Sequence, residues 1–349
     1  MMTLAARRIR RHRGGGLVEV LVALFLSVVL VGIVIQVFIS SKLNYSIQER
    51  LSRMQENARQ AVESLSRDLR SIGFIGEVQE YWNITSAAAP NLLPVISGEC
   101  FTSPYRWVAP MVAVGGVYPP SLVASNNGSG KFSGCITTAN YQPNTDVISI
   151  HYGIAEAIAD ASLQANTLYL RTYLRGGMAF KCQTSGSCLP VGAPAASPTT
   201  ANFALYAASY YIRPWQSTVG DGVPALIRAK LDSVGCASTP PCIKHETIAE
   251  GIEDLQIRFG VDNDDDGFAD QYLDAQNIST LAVINDVKAW HRVTSIRLWL
   301  LMRSDKQDPS FTDENTYVMG DRTFSPKDGY RRSLVSTTIA LRNVAGAQP

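Results

Sequence analysis

The sequence lacks the patterns that accompany enzymatic catalysis and nucleic-acid binding. No G-x-S-x-G, H-E-x-x-H or Walker-type motif is present, and His151, His245 and His291 are scattered along the chain. Charged residues make up only 17% of the 349 residues, and no basic stripe follows the first fourteen. The sequence therefore predicts neither an enzyme nor a nucleic-acid partner.

Zinc-type spacings are also missing, because the chain contains no C-x-x-C pair and no H-x-x-x-H pair. Its six cysteines instead favour disulfides, since two pairs enclose short stretches rich in Gly, Ser and Pro, and exclusion leaves a third pair. Disulfides indicate an oxidising compartment outside the cytoplasm. Metal binding and free thiols stay open as the alternative. Of the possible connectivities, this reasoning favours Cys182 with Cys188, Cys236 with Cys242, and Cys100 with Cys135.

A long apolar run follows the basic N-terminal stretch. Residues 17–39 include only three clearly polar side chains, those of Glu19, Ser27 and Gln36. As a helix this run measures about 35 Å, enough to cross a hydrocarbon core of about 30 Å. It is longer than the apolar region of a cleaved signal peptide, and no A-x-A-like site follows it. We predict a transmembrane helix over residues 17–39.

The charge before this run predicts its orientation. Residues 1–14 contain five arginines and no acid, so the remainder of the chain has a net charge of −4 against +1 for the whole. Basic flanking residues stay on the cytoplasmic side of a membrane. We therefore expect the chain after residue 39 to lie in the periplasm, which agrees with the predicted disulfides.

Glu19 needs an explanation, because an ionised carboxylate in this position costs roughly 2.5 kcal/mol or more without a partner. One explanation is that it reaches the lipid headgroups. However, the basic leader, the stretch "GGGLVE" and the unbroken apolar helix together resemble the class III signal of type IV prepilins and pseudopilins. This resemblance implies cleavage after Gly14 by a prepilin peptidase and methylation of Gly15 as the new N-terminus. Cleavage after Gly15 or Gly16 stays open, because three glycines are consecutive.

The same resemblance implies a role for Glu19. At the fifth mature position its carboxylate pairs with the N-terminal ammonium of a neighbouring subunit as helices bundle in a filament. The leader would then be residues 1–14, and the pilin-like helix would occupy residues 15–73. Its second half has apolar residues at spacings of three and four and ends before Gly73. These residues are Leu43, Ile47, Leu51, Met54, Ala58, Val62, Leu65, Leu69 and Ile72.

Residues 74–349 are predicted to form a β-rich head, with a subdivision near Ala249. Runs such as "DVISIHYG", "LYLRTYL", "ALYAASYYIRPW", "DLQIRFGVD" and "TSIRLWLLMRS" are rich in β-branched and aromatic residues or alternate with period two. Residues 183–202 are a loop by composition. The expected fold class is α+β, a long N-terminal pilin-like helix followed by a mostly antiparallel β head.

One acidic loop in the head has the spacing of a calcium site. In "DNDDDGFADQY" carboxylates occupy positions 1, 3, 5 and 9, Gly267 occupies position 6, and position 7 offers a backbone carbonyl. Leu273 replaces the usual Glu at position 12, which predicts a weak site. A solvated acidic turn is the alternative interpretation. The candidate Ca²⁺ ligands are Asp262, Asp264, Asp266, Phe268 and Asp270.

The C-terminal segments resemble the PilW family of type IV pilus assembly proteins. "GIEDLQIRFGVDNDDDGFADQY", "VTSIRLWLLMRSD" and "DGYRRSLVSTTIALRN" occur in the order of that family. The resemblance implies a minor pilin that moves from the bacterial inner membrane to the pilus or cell surface. Its partners would be minor and major pilins, the prepilin peptidase and the pilus assembly machinery. A type II secretion pseudopilin, a membrane-anchored periplasmic enzyme and a membrane-anchored Ca²⁺-dependent adhesin are the alternatives.

Overall fold

The computed structural model confirms the predicted fold class, a long N-terminal helix followed by a mostly antiparallel β head. The chain divides into two compact units, Met1–Ser52 and Arg53–Pro349. The leader and helix boundaries and the subdivision near Ala249 stay predictions. The structure describes residues 16–76, 78, 84–88, 91–94, 96, 98–100, 121–186, 188–237, 240–280 and 290–343.

Helix α1 spans Leu17–Arg70. Its first part is apolar and long enough to cross a membrane, and none of that segment is buried in the protein. In the head unit α1 buries one side, although the buried stripe starts at Met54 and not at Leu43 as the spacing suggests, since Leu43 is 52% exposed. Gly73 follows the helix with a φ of +82°, the left-handed conformation that glycine adopts without strain.

In the described part of the chain the first sheet has eight strands, of which β1 and β5 are parallel and all other neighbours antiparallel. The long strand β6 lies at its centre, where it pairs with β3, β4 and β7. The strands are β1 (Ile84–Ser86), β2 (Leu122–Ser125), β3 (Val147–Gly153), β4 (Leu168–Tyr173), β5 (Gly176–Lys181), β6 (Ala201–Arg213), β7 (Ala225–Asp232) and β8 (Cys242–Glu250).

The chain passes to a second, four-stranded antiparallel sheet at Gly251, in the order β10-β9-β11-β14. A separate β-hairpin, β12–β13, precedes its last strand. The elements are β9 (Ile252–Val261), β10 (Gln271–Leu273), helix α2 (Ala275–Thr280), β11 (Val293–Arg303), β12 (Tyr317–Met319), β13 (Arg322–Phe324) and β14 (Arg332–Ala340).

Both sheets and α1 share one hydrophobic core. It contains Leu65 and Leu69 from α1, Ile150 from the first sheet and Leu298 from the second. The alternation predicted for "DLQIRFGVD" is confirmed, because its four apolar residues all face this core. They are Leu255, Ile257, Phe259 and Val261. The burial of α1 residues in this core explains why the second half of the helix is amphipathic.

The sequence patterns do not identify strands β7 and β8. The polar residues Lys244, His245 and Glu246 interrupt the apolar run of β8, which is an edge strand with a register shift opposite β7. The predicted loop over residues 183–202 is also slightly too long, because β6 begins at Ala201. Short and polar strands depend on pairing with neighbours distant in sequence, and composition alone does not identify them.

Candidate functional sites

The first candidate site is the N-terminal end of α1. The Gly16 carbonyl accepts the backbone N–H of Glu19 at 2.8 Å and that of Val20 at 3.3 Å, so Glu19 lies in the first helical turn. An acid is favourable at this end of a helix, where the macrodipole is positive. The side chains of residues 17–39 are all exposed. The predicted cleavage residues Gly14 and Gly15 lie outside the described residues.

The second candidate site is a buried carboxylate that attaches α1 to the first sheet. Asp68 is 6% exposed and accepts hydrogen bonds from three tyrosine hydroxyls. Tyr206 donates to Oδ2 at 2.7 Å, Tyr210 donates to the same oxygen, and Tyr152 donates to Oδ1 at 3.3 Å. The Arg228 guanidinium lies 3.6 Å from Oδ2. The charge of Asp68 is therefore compensated inside the protein, as a buried carboxylate requires.

The electrostatics of this cluster keep its donors protonated. Burial, followed by the negative charge of Asp68, raises the pKa of Tyr152 above its usual value. Burial also raises the pKa of Tyr206 and Tyr210, with the Asp68 charge adding to the effect. Arg228 in turn donates to the Glu246 carboxylate at 2.7 Å. The network thus joins α1, β3, β6, β7 and β8 through charge-assisted hydrogen bonds.

Sequence reasoning missed Asp68, although a signal was present. The spacing of Met54, Ala58, Ala61 and Leu65 places Asp68 on the buried stripe of α1, where a carboxylate is out of place without partners. The identity of those partners could not be predicted. The tyrosines follow Asp68 by 84 to 142 residues.

The third candidate site is the acidic loop between β9 and β10. Asp262, Asp264 and Asp270 each place a carboxylate oxygen within 4.8 Å of the other two. The two oxygens of Asp262 accept the backbone N–H groups of Asp265 and Gly267, both at 2.7 Å. Gly267 has a φ of +88°, which explains the requirement for glycine at the sharp turn. The structure therefore brings three of the four predicted carboxylates together.

The donor set of this loop suits a hard cation, since it consists of oxygen atoms only. Repulsion from Asp266, then from Asp270, raises the pKa of Asp264. The Asp266 carboxylate accepts the backbone N–H of Phe268 at 2.8 Å and is not part of the three-carboxylate group. Leu273, at position 12, lies in β10. Calcium binding by this loop stays a prediction.

All six cysteines are in disulfides, in the pairing that the sequence favours. Cys182–Cys188 and Cys236–Cys242 close short loops with a sequence separation of 6, and Cys100–Cys135 closes a longer one with a separation of 35. The thiols are therefore not available as metal ligands or nucleophiles.

His151 and His245 both lie in strands of the first sheet. His151 in β3 is 6% exposed, and its burial lowers its pKa to about 3, so it is neutral near pH 7. The ring of His245 in β8 forms a 3.0 Å hydrogen bond with the Tyr211 hydroxyl through Nδ1. Both side chains thus contribute to the packing of the first sheet.

The chain is similar to known proteins at the level of a family and of a solved structure, whereas curated proteins give no match. Among solved structures, a type IV-like pilin from Thermus thermophilus matches with 12% identity and a TM-score of 0.33, over 84% of this chain and 99% of that chain. Residues 209–343 match the model of the family PilW, described as Type IV Pilus-assembly protein W. The resemblance predicted from the C-terminal segments is thus confirmed over residues 209–343, the part of the chain that is similar to the PilW family.

Proposed function

We propose that the chain is a minor pilin that is processed by a prepilin peptidase and contributes to assembly of a type IV pilus. The observation that carries this proposal is helix α1. Glu19 is its only charged residue before Lys42, its apolar side chains are exposed over residues 17–39, and one side of its later part is buried in the head unit from Met54 onward. One helix thus offers an apolar surface to a membrane or a helix bundle while it anchors a folded head.

The match of residues 209–343 to a pilus assembly family supports other pilins as the partners of this chain. Other pilins would contact the apolar half of α1, where van der Waals packing drives helix association in a membrane. The Glu19 carboxylate would pair with the N-terminal ammonium of a neighbouring subunit, which removes the cost of an isolated charge in this environment. The head would lie in the periplasm before assembly, where the three disulfides are stable.

The first experiment is intact-mass analysis of the full chain, extracted from membranes with and without a co-expressed prepilin peptidase. We expect a peptidase-dependent loss of residues 1–14, with or without one methyl group on Gly15. Gly14→Val should block this cleavage. Gly32→Ala is the matched control, because a Cβ at Gly32 meets no atom within 4 Å. An unprocessed wild-type chain under both conditions contradicts the proposal.

The second experiment tests the role of Glu19 in assembly. Glu19→Gln removes the charge but keeps the size, so we expect normal cleavage and loss of incorporation into sheared pili. Ser27→Ala is the control, because the Ser27 hydroxyl is uncharged and donates to the Leu24 carbonyl of its own helix. Normal incorporation of Glu19→Gln would show that the charge does not set helix register. A processed chain that restores protein secretion and not piliation in the cognate deletion strain would favour a type II secretion pseudopilin.

A further inference from the structure

Strand β14 is a long edge strand of the second sheet. Among the described strands it pairs with β11 alone, in a regular register from Arg332 opposite Arg303 to Ala340 opposite Ser295. No register shift interrupts these nine pairs. One side of β14 is therefore a straight row of backbone groups with no partner strand in the described part of the chain.

The register identifies which residues turn their backbone groups outward. Just beyond the two ends of the ladder, the Leu341 N–H donates to the Thr294 carbonyl at 2.8 Å and the Ser304 N–H donates to the Arg331 carbonyl at 2.9 Å. Hydrogen-bonded pairs alternate along an antiparallel ladder. The odd-numbered residues of β14 therefore bond β11. Within residues 333–341 the outward N–H and C=O groups belong to Leu334, Ser336, Thr338 and Ala340, and those of Arg332 precede them at the start of β14.

Over residues 333–341 this edge carries none of the features by which proteins protect edge strands from pairing, namely charges, proline, bulges or a short length. Between Ser333 and Leu341 there is no charge and no proline. By contrast, the edge strand β8 contains Lys244 and Glu246 and has a register shift. The described edge strands β1, β2 and β10 have only three or four residues. The edge of strand β14 is thus open to pairing with another strand.

The side chains of β14 complement themselves. When two copies of β14 pair antiparallel about Thr337, Ser336 of each copy lies directly opposite Thr338 of the other copy. Such Ser–Thr pairs stabilise adjacent strands. On the core-facing side Val335, which packs against the core, lies opposite Ile339 of the other copy. Thr337 lies opposite itself, and over residues 333–341 no charged residues meet.

We propose that β14 pairs antiparallel with β14 of a second copy of this chain, so that the two second sheets join into one continuous sheet. The four outward residues of each copy form the new ladder. The proposal does not depend on the pilus assignment, because it rests on the edge of the head alone. It names an interface on the opposite side of β14 from β11, distinct from the apolar half of α1.

The test is site-specific crosslinking of the full chain in detergent. In the proposed register the two Thr337 residues are directly opposite in a non-hydrogen-bonded pair, with Cα atoms about 4.5 Å apart, within reach of a disulfide. Because all six native cysteines are in disulfides, Thr337→Cys adds one free thiol. We expect rapid formation of a covalent dimer on mild oxidation. Thr323→Cys, on the exposed middle of β13, is the control and should stay monomeric.

Two further variants in the Thr337→Cys background separate pairing from misfolding. Ser336→Pro removes an outward N–H without removing a bond to β11, and Ser336→Lys adds a charge at an exposed position. Both variants should abolish the crosslink, and the thermal unfolding midpoint of Ser336→Lys should stay unchanged. Thr323→Lys, the charge control, should preserve the crosslink. Absence of the Thr337→Cys dimer, or its crosslinking only to a different co-expressed pilin, overturns the proposal.

Discussion

The Tyr206 hydroxyl in the first sheet donates a 2.7 Å hydrogen bond to the Asp68 carboxylate on α1, which precedes it by 138 residues. This bond joins the helix that carries the proposed assembly surface to the centre of the head. Asp68 lies two residues before the end of α1. Near its C-terminal end, α1 is thus attached to the first sheet by hydrogen bonds to a single carboxylate.

Asp68→Asn tests this attachment. The change removes the charge that three tyrosine hydroxyls and Arg228 stabilise, so we expect a loss of about 3 kcal/mol in the free energy of unfolding. Urea unfolding of the full chain in detergent, followed by tyrosine fluorescence, measures it. Glu63→Gln on the same helix is the control, because the Glu63–Arg67 pair is largely exposed and contributes less than about 1 kcal/mol. Equal stability of the two variants would contradict the role of Asp68.

The sequence predicted the elements whose residues follow a local pattern. The 54 residues of α1 follow from one apolar run and one amphipathic stripe, and the alternation of β9 identifies the residues that face the core. What the sequence could not show is long-range pairing. The tyrosines around Asp68 come from β3 and β6. Strand β14 lies at the edge of its sheet because, among the described strands, it pairs with β11 alone. Neither relationship has a signature in local composition.

The acidic loop shows an intermediate case. Its spacing predicted four converging carboxylates, and the structure brings three of them within 4.8 Å of one another. Asp266 is the exception, and its carboxylate accepts the backbone N–H of Phe268, two residues away. Short acidic side chains compete in this way for nearby N–H groups. Spacing therefore identified the loop, but it could not assign each oxygen.

The buried His151 predicts a pH dependence of stability. Burial lowers the pKa of His151 to about 3, below the value of 6.5 that it has in the unfolded chain. The unfolded state therefore binds a proton first as the pH falls. The contribution of neutral His151 to stability is therefore fully present above pH 6.5 and decreases below it by up to about 1.4 kcal/mol per pH unit. Burial acts in the opposite direction on Asp146 and Asp254, because it raises the pKa of these carboxyl groups to about 8 and about 6. Urea unfolding at pH 7.5, 6.5 and 5.5 measures this slope.

His151→Gln should remove the loss of stability that His151 causes between pH 6.5 and 5.5, because the titrating group is gone while a neutral side chain of similar size remains. The test is therefore the difference in slope between the wild type and the variant. His245→Gln is a useful comparison, since burial also lowers the pKa of His245 but this residue lies near the surface of β8. We expect the larger change in slope for His151→Gln. The same slope in the wild type and in His151→Gln would show that His151 does not control acid sensitivity.

The disulfides should contribute differently to the free energy of unfolding, according to the length of the loop that each one closes. Closing a loop lowers the entropy of the unfolded chain, and the effect increases with loop length. For Cys100–Cys135, with a separation of 35, the expected loss on replacement by two serines is roughly 4 kcal/mol. For Cys236–Cys242, with a separation of 6, it is roughly 2 kcal/mol. Thermal unfolding of the two double variants should rank them in this order, and the reverse order would contradict the loop-length argument.

Calcium should stabilise the head through the acidic loop. A hard cation would relieve the repulsion among Asp262, Asp264 and Asp270, so the midpoint of thermal unfolding should rise as Ca²⁺ is added. Without the bidentate Glu at position 12 we expect a dissociation constant on the order of 10⁻⁴ to 10⁻³ M. Mg²⁺ should raise the midpoint less, because it requires a smaller octahedral site.

Asp264→Asn is the informative variant for this site. Asp262 also holds the loop through backbone N–H groups, so its replacement would disturb the turn itself, whereas Asp264 is exposed. We expect Asp264→Asn to raise the midpoint in the absence of Ca²⁺, since it removes one repelling charge, and to abolish the rise on adding Ca²⁺. Asp305→Asn, an exposed acid outside the loop, should change neither. A rise with Ca²⁺ that persists in Asp264→Asn would place the cation elsewhere, and no rise in the wild type would leave the loop a solvated acidic turn and remove the sole support for a Ca²⁺-dependent adhesin.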